Sequence, residues 1–427
     1  MIPQRNLDAW LAYISAQHPA EIALGLERVR SVWERMAVNG KAPRAPINIT
    51  VGGTNGKGST CAMLERILSS AGYRVGCYTS PHLLRYNERV RIGLKPAEDS
   101  ELCVALEAVE NARDGIALTY FEFGTLAAFW LFERAGLDVA ILEVGLGGRL
   151  DAVNIIDADC SVVVSVDLDH QAFLGNTREA IGYEKAGIFR NARPAIFAET
   201  NPPHSLLDHA ASIGADLMVL GRDFSYSRME QQWRFDGRRG KHHALPFPAL
   251  RGSYQLKNAS ACLAALDELR ARLPLGQADI KRGLLEVELP GRLQVLPGRP
   301  AVVLDVAHNP HAALALEDAL GTMGFYDNTL AVFGMLKDKD IDGVIDIIQA
   351  RIDRWFVATL SGERGASAQQ IFDKLAARGL EHRVKRYANI ASAFAAARAE
   401  AGESDRILVF GSFYTVADVL RLNRNKP

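Results

Sequence analysis

Between Gly53 and Thr60 the chain reads GTNGKGST, a lysine set among glycines and followed by two hydroxyl residues. Glycines let backbone N–H groups curl around phosphate oxygens, and a helix starting there adds positive potential. Lys57 would reach the β- and γ-phosphates of a nucleotide, and Ser59 or Thr60 would offer a hydroxyl to Mg²⁺. The spelling departs from G-x-x-x-x-G-K-[ST], because Val51 stands at the first glycine position and Gly58 follows Lys57. An apolar run at 47–51 (INITV) reads as a buried strand ahead of the segment. Behind it, Met63, Leu64, Ile67, Leu68 and Ala71 recur at helical spacing within 61–71. A glycine-rich turn without a ligand is the competing reading, and the flanking elements favour a nucleotide site.

Other polar clusters follow predicted strands. Thr79-Ser80-Pro81-His82 is one; Glu143 running into Gly145-Leu146-Gly147-Gly148-Arg149 is another; Asp167-Leu168-Asp169-His170 is a third. A hydroxyl, a carboxylate and an imidazole converging on a phosphate loop would suit Mg²⁺, which takes oxygen ligands and keeps waters. Each cluster alone also reads as a cap or an ion pair. The glycines at 145–148 lack the G-x-G-x-x-G spacing of a dinucleotide turn. Tyr120-Phe121-Glu122-Phe123 combines core aromatics with a glutamate at a helix start. It equally fits a pocket where a heterocycle stacks and a carboxylate accepts ring N–H bonds. Asp305 and His308, within DVAHNP, read either as a cap and a surface histidine or as catalytic groups.

To position these groups, strands are predicted at 47–51, 74–79, 139–144, 161–166, 194–198 and 216–220. Helices are predicted at 7–36 in two pieces (the second from Glu21), 100–112, 124–135, 177–186 and 258–271. Strands alternating with helices imply a parallel, helix-flanked sheet. At 223–248 aromatic and polar residues alternate, which predicts a small antiparallel hairpin. A Pro/Gly-rich stretch at 289–300 divides the chain. Beyond it, strand-then-helix units recur at 301–305 with 312–320, 329–334 with 342–350, 354–359 with 367–377, and 407–411 with 415–422. The expected α/β architecture is a phosphate-loop ATPase domain over 1–293 and a smaller Rossmann-like domain over 297–427. Ligands in such sheets bind at the carboxyl ends of strands, so the two sets of strand-end loops are expected to face one another across a cleft.

Hydrophobic residues make up 48% of the chain and charged residues 23%, enough for a sizeable core. A net charge of −1 argues against binding nucleic acid or anionic membranes, which needs a basic surplus. The five cysteines are scattered without a C-x-x-C pair, as expected of reduced, buried thiols in a cytoplasmic protein. The first ten residues lack a signal pattern, and no apolar run approaches the roughly 20 residues of a spanning helix. A monomer is expected, because no amphipathic stretch is left without an intramolecular partner.

The motifs together resemble the ATP-dependent Mur-ligase superfamily, and within it the bacterial bifunctional dihydrofolate synthase/folylpolyglutamate synthase family. They are GTNGKGS (53–59), TSPHL (79–83), NERVRI (87–92), TYFEF (119–123), EVGLGGRLDAVN (143–154), DHQAFLG (169–175), EKAGI (184–188), PGRLQ (290–294), DVAHNP (305–310) and FGSFYTVADVL (410–420). They run in order along nearly the whole chain, and the GKGS spelling is the family's own. The resemblance implies a ligase in which ATP converts a carboxylate to an acyl phosphate that the amine of L-glutamate captures. Its acceptors would be dihydropteroate, giving dihydrofolate, and reduced folates.

By the same resemblance Gly56, Lys57, Gly58 and Ser59 would bind the triphosphate. Ser80, Glu143 and His170 would ligate Mg²⁺, with Ser59 close to the nucleotide-bound ion. Lys185, from its motif alone, would be a carboxylated lysine holding a second Mg²⁺. Asn258, Arg292 and Asp305 would contact the nucleotide, with His308 beside it. Ser412 and Tyr414 would lie near the glutamate or the acyl phosphate. Thr119, Tyr120, Phe121, Glu122, Leu150, Asp151 and Ala152 would frame the dihydropteroate site, with Glu27 and Arg28. Two alternatives share the framework: a monofunctional folylpolyglutamate synthase, and a UDP-muramyl peptide ligase. The second is disfavoured, because a nucleotide-sugar module is expected before the phosphate loop and only about 50 residues precede Gly53. A non-catalytic nucleotide switch is a third reading, opposed by the presence of Lys57, Glu143, His170, Asp305 and His308.

Overall fold

The computed structural model describes residues 5–18, 22–36 and 47–424. Its first sheet holds eight strands: β1 (Ile47–Gly52), β2 (Val75–Tyr78), β3 (Val90–Ile92), β4 (Lys95–Pro96), β5 (Val139–Glu143), β6 (Cys160–Val163), β7 (Pro194–Phe197) and β8 (Asp216–Val219). Their order is β4-β3-β2-β5-β1-β6-β7-β8. From β2 to β8 every pairing is parallel, while β3 and β4 add antiparallel at one edge. Every residue of β1, β2, β5 and β6 is buried. Covering both faces with helices is what makes such strands continuously apolar rather than alternating.

The chain leaves β1 towards β2 on one side and later fills β6 on the other. The carboxyl end of β1 is therefore a switch point, where open α/β sheets bind ligands. Gly53 begins there, and register pairs Val51 with both Glu143 and Val162, so the loops after β1, β5 and β6 share one edge.

The 223–248 region forms a three-stranded antiparallel sheet, β9 (Ser225–Arg228), β10 (Trp233–Asp236) and β11 (Lys241–Leu245), in the order β11-β10-β9. Trp233 and Phe235 turn inward from β10 and are fully buried. The expected hairpin is thus one strand larger.

The second sheet comprises β12 (Gln294–Leu296), β13 (Ala301–Leu304), β14 (Thr329–Phe333), β15 (Arg354–Ala358), β16 (Val384–Tyr387) and β17 (Arg406–Phe410), ordered β12-β13-β17-β14-β15-β16. Only β12 is antiparallel within it. Phe333, Trp355 and Phe410 stack at its centre, the Phe333 and Phe410 rings 4.7 Å apart. Pairs of this kind add about 0.5–1.5 kcal/mol beyond the area they bury.

Two units result: residues 1–249 with 256–287, and residues 250–255 with 288–427. The second unit therefore claims 288–293 and a short segment around Tyr254 that the sequence division assigned to the first domain. Other differences are local. The stretch 22–26 is not helical, so the second piece of the N-terminal helix is Glu27–Met36; its expected start, Glu21, lies outside the described residues. Helix Tyr120–Arg134 starts four residues before its expected beginning at 124, because Thr119 caps it. Helices His204–Ile213, Gln277–Glu286 and Ile390–Glu400, with strand β16, were not anticipated.

Candidate active site

Lys57 opens helix Lys57–Ser70, and Gly56 before it takes φ 87°, a left-handed conformation natural to glycine. A Cβ on Gly56 would stand 2.7 Å from Val164 Cγ1 and 2.8 Å from Asn258 Oδ1, so nothing larger fits. The Lys57 Nζ donates to the carbonyls of Gly53 (2.9 Å) and Thr54 (3.3 Å). The loop is tied to the strand-end turn after β6. Thr54 Oγ1 donates to the Asp167 carbonyl (3.1 Å) and accepts from Asp167 N (3.0 Å), while Asn55 N donates to Ser165 Oγ (2.9 Å). Asn258 is almost wholly buried against this loop, within the first unit, whereas Arg292 and Asp305 belong to the second.

Ser80 follows β2 and Glu143 ends β5, adjacent strands in the sheet. The Ser80 amide accordingly donates to Glu143 Oε2 at 3.3 Å. Glu143 is buried. The Ser80 loop is braced by Glu88, whose carboxylate accepts from the amides of Leu83 (2.7 Å), Leu84 (3.0 Å) and Arg85 (2.9 Å). His170 sits at φ 50° at the start of a single helical turn, with its amide donating to Asp169 Oδ1 at 2.9 Å.

Lys185 is 4% exposed near the end of helix Arg178–Ala186. Burial, reinforced by the charge of Lys57 and opposed by Asp169 and Asp151, pulls its amine down to about 7. Asp151 is pushed up to about 6 by burial, although the amides of Leu146 (2.8 Å) and Val153 (3.0 Å) donate to it. Lys57, Lys185, Asp151 and Asp169 therefore share one electrostatic neighbourhood. Lys185 is thus a buried amine rather than a solvated one.

Arg28 reaches Glu122 (Nη2 to Oε1 2.7 Å), and Glu122 also accepts from the Thr119 amide (2.8 Å) in a capping box. Gly25 N donates to the Leu150 carbonyl (3.3 Å), which brings the residue 25–28 segment beside the loop carrying Leu150, Asp151 and Ala152. Phe121 packs on Gly145, and Tyr120 meets Tyr86 edge-on at 5.8 Å. Tyr120 and Phe121 are half-buried, and Glu27 is exposed.

In the second unit Asp305 follows β13 and is buried; its carboxylate accepts from the amides of Leu293 and Ala307, each at 2.8 Å. Burial raises its proton affinity against the pull of Arg292. His308 Nδ1 donates to the Val306 carbonyl (2.8 Å), which leaves Nε2 to carry the lone pair of the neutral ring. Phe413 lies against both Arg292 (5.1 Å) and His308 (6.1 Å). Ser412 is buried and its Oγ accepts from Tyr414 N (3.2 Å), while the Tyr414 side chain is exposed.

The donors after β2, β5 and β6 are a hydroxyl, a carboxylate and an imidazole. Among the described residues no group of three or more His, Cys, Asp or Glu side chains is gathered as a metal cage. A hydroxyl, a carboxylate and an imidazole would suit a divalent cation that completes its shell with water and phosphate, as Mg²⁺ does. The bracing residues Thr54, Glu88 and Phe413 were missed. All three fall inside the family motifs, but only the folded chain discloses what they touch. No helix among the described residues is long and apolar enough to cross a membrane.

A phosphate loop at the switch point of a parallel sheet, followed by a second α/β unit, is the make-up of a Mur-type ligase. Residues 51–266 match the Mur ligase middle domain, and residues 291–413 match the Mur ligase glutamate ligase domain. The chain is 45% identical over 416 residues to the Escherichia coli dihydrofolate synthase/folylpolyglutamate synthase, covering 97% of this chain and 95% of that protein. It superposes on the structure of E. coli FolC in complex with DHPP and ADP with a TM-score of 0.92, at 45% identity over 98% of each chain. A bifunctional folylpolyglutamate synthase/dihydrofolate synthase with Mn, AMPPNP and L-glutamate bound superposes with a TM-score of 0.90, at 43% identity, over 99% of this chain and 100% of that one. The chain belongs to the dihydrofolate synthase/folylpolyglutamate synthase family of Mur ligases.

Proposed function

We propose that this protein is an ATP-dependent carboxylate–amine ligase that joins L-glutamate to dihydropteroate, giving dihydrofolate, and adds further γ-glutamates to reduced folates. The supporting observation is end-to-end likeness to two relatives, one holding DHPP with ADP and the other Mn, AMPPNP and L-glutamate.

A carboxylate resists nucleophiles because its charge repels them and it lacks a leaving group. Transfer of the γ-phosphoryl of ATP to the substrate carboxylate gives an acyl phosphate and ADP. The glutamate amine then attacks the acyl carbon, an amide forms, and inorganic phosphate departs. Gly56, Gly58 and Ser59 would cradle the phosphates, while the Lys57 ammonium leaves the Gly53 and Thr54 carbonyls to meet charge developing in transfer. Ser80, Glu143 and His170 would hold Mg²⁺, which would supply neutralisation of the phosphate charge. Lys185 would enter as its carbamate: a buried amine pulled down to about 7 is unprotonated in a large fraction of molecules at neutral pH and so nucleophilic towards CO₂, and the product, formed with release of a proton, is an anion able to hold a second cation.

Arg28, Thr119, Tyr120, Phe121 and Glu122, with Leu150, Asp151 and Ala152, are assigned to dihydropteroate. Arg292, Asp305 and His308 are assigned to the nucleotide, and Ser412 and Tyr414 to the glutamate end. Five cysteines, all free thiols, support a cytoplasmic setting.

The test is glutamate-dependent ADP release, measured separately with dihydropteroate and with tetrahydrofolate. Turnover with both supports the dual activity; turnover with tetrahydrofolate alone identifies a monofunctional folylpolyglutamate synthase. Heavy oxygen placed in the acceptor carboxylate must emerge in inorganic phosphate, and its absence there would exclude the acyl phosphate.

A further inference from the structure

The loop 145–154 and the segment 184–190 belong to separate motifs, yet one side chain, that of Asn154, bonds to both. Asn154 is 8% exposed. Its Nδ2 lies 3.0 Å from the Arg149 carbonyl and 3.0 Å from the Gly187 carbonyl. Its Oδ1 lies 2.9 Å from Arg190 Nη2. Carbonyls only accept and guanidinium only donates, so the amide orientation is fixed and both of its hydrogens are engaged. No other side chain of this length offers two donors and one acceptor in a plane. Around it the backbones touch: Arg149 N donates to the Glu184 carbonyl (2.8 Å), and Arg149 Nη2 pairs with Glu184 Oε1 (2.7 Å). A Cβ on Gly148 would stand 2.8 Å from the Glu184 carbonyl, and one on Gly187 2.3 Å from Arg149 Cβ.

We infer that Asn154 is a positioning residue that makes the dihydropteroate-facing loop (Leu150, Asp151, Ala152) and the Lys185 turn a single rigid body. The inference rests on the roles given to those segments under the proposed function. Asn154 touches no reacting atom; it sets where Lys185 stands relative to the loop. The phosphate loop at Gly53–Lys57 is not part of this clasp.

The test is Asn154→Asp, which keeps the shape and removes both donors, with Arg190→Lys as the second variant should the first fail to fold. Three readouts are taken: amide hydrogen exchange of the ligand-free protein, KM for dihydropteroate, and ADP affinity by calorimetry. The expected result is exchange about tenfold faster in both 149–156 and 185–190, KM for dihydropteroate raised about tenfold, and ADP affinity within about twofold. Loosening of one segment alone, an unchanged KM, or a parallel loss of ADP affinity would overturn the inference. Failure of the unaltered protein to use dihydropteroate would instead remove the proposed function on which it rests.

Discussion

Arg28 and Glu122, 94 positions apart, are joined by two contacts from one guanidinium to one carboxylate, Nη2 to Oε1 at 2.7 Å and Nε to Oε2 at 3.4 Å. The carboxylate is 4% exposed and the guanidinium 29%. Glu122 is also committed to the Thr119 amide, so this pair fixes both the entry of helix Tyr120–Arg134 and the N-terminal segment beside Leu150. Removing one partner of a largely desolvated pair strands the other. Glu122→Gln is expected to cost about 1–3 kcal/mol in urea unfolding. It should also raise KM for dihydropteroate about tenfold or more while leaving ADP affinity unchanged. In a double-mutant cycle with Arg28→Met the two losses should be strongly non-additive. Additive losses would show that the pair is not coupled.

Lys57→Ala should reduce turnover at least about 10³-fold, the upper range for losing one preorganised charge donor. The same change removes the bonds to the Gly53 and Thr54 carbonyls, worth about 1 kcal/mol, and relieves the repulsion between Lys57 and Lys185. The melting temperature should therefore move by no more than about 4 °C. Turnover within tenfold of the parent, at unchanged stability, would count against the phosphate-loop role.

Lys185 makes a pH prediction whose sign follows from its depressed affinity for protons. With its folded value near 7 and its ordinary value 10.5, the unfolded chain binds the extra proton between those limits and the folded chain does not. Stability of protein prepared without CO₂ should thus rise with pH from about 7 to 10.5, and the cost of burying the amine is fully present below 7. Lys185→Met should abolish that slope and be the more stable protein at pH 6.5, yet be inactive. The check is urea unfolding of both proteins at pH 6.5 and pH 9; parallel curves would contradict it. Added bicarbonate should raise the activity of the unaltered protein and increase its mass by one carboxyl group.

Much of this frame is legible in sequence because periodicity and punctuation agree there. The strand at 47–51, the glycines at 53 and 56 and the helix beyond them are local features, and the structure reproduces all three. What is not legible is long-range pairing. Nothing near Asn258 announces that it packs on Gly56, and nothing near Lys185 announces that it is buried beside Lys57. Strands β3 and β4 are three and two residues long, too short to establish a period, and they join antiparallel. At 22–26 (IALGL) apolar spacing continues that of a helix, but Gly25 adopts φ 146° and its amide is taken by Leu150. Tertiary contact overrides propensity there.

Glu88 supplies the last prediction, because it governs Ser80 without adjoining it in the chain. Three successive amides, those of Leu83, Leu84 and Arg85, converge on its two oxygens at 2.7–3.0 Å. A glutamine in its place can still accept on one oxygen but turns N–H donors towards N–H donors on the other. Glu88→Gln should cost about 1–3 kcal/mol. If the loop is held in register for the Ser80–Glu143 contact, turnover should also fall about 10- to 100-fold, and more Mg²⁺ should be needed for half-maximal rate. ADP affinity measured without Mg²⁺ should be unaffected, because the Gly53–Lys57 loop is anchored separately through Thr54 and Asn55. Hydrogen exchange read at Leu83, Leu84 and Arg85 would report the released loop directly. Unaltered protection at those three amides in the variant would mean that Glu88 does not hold the loop.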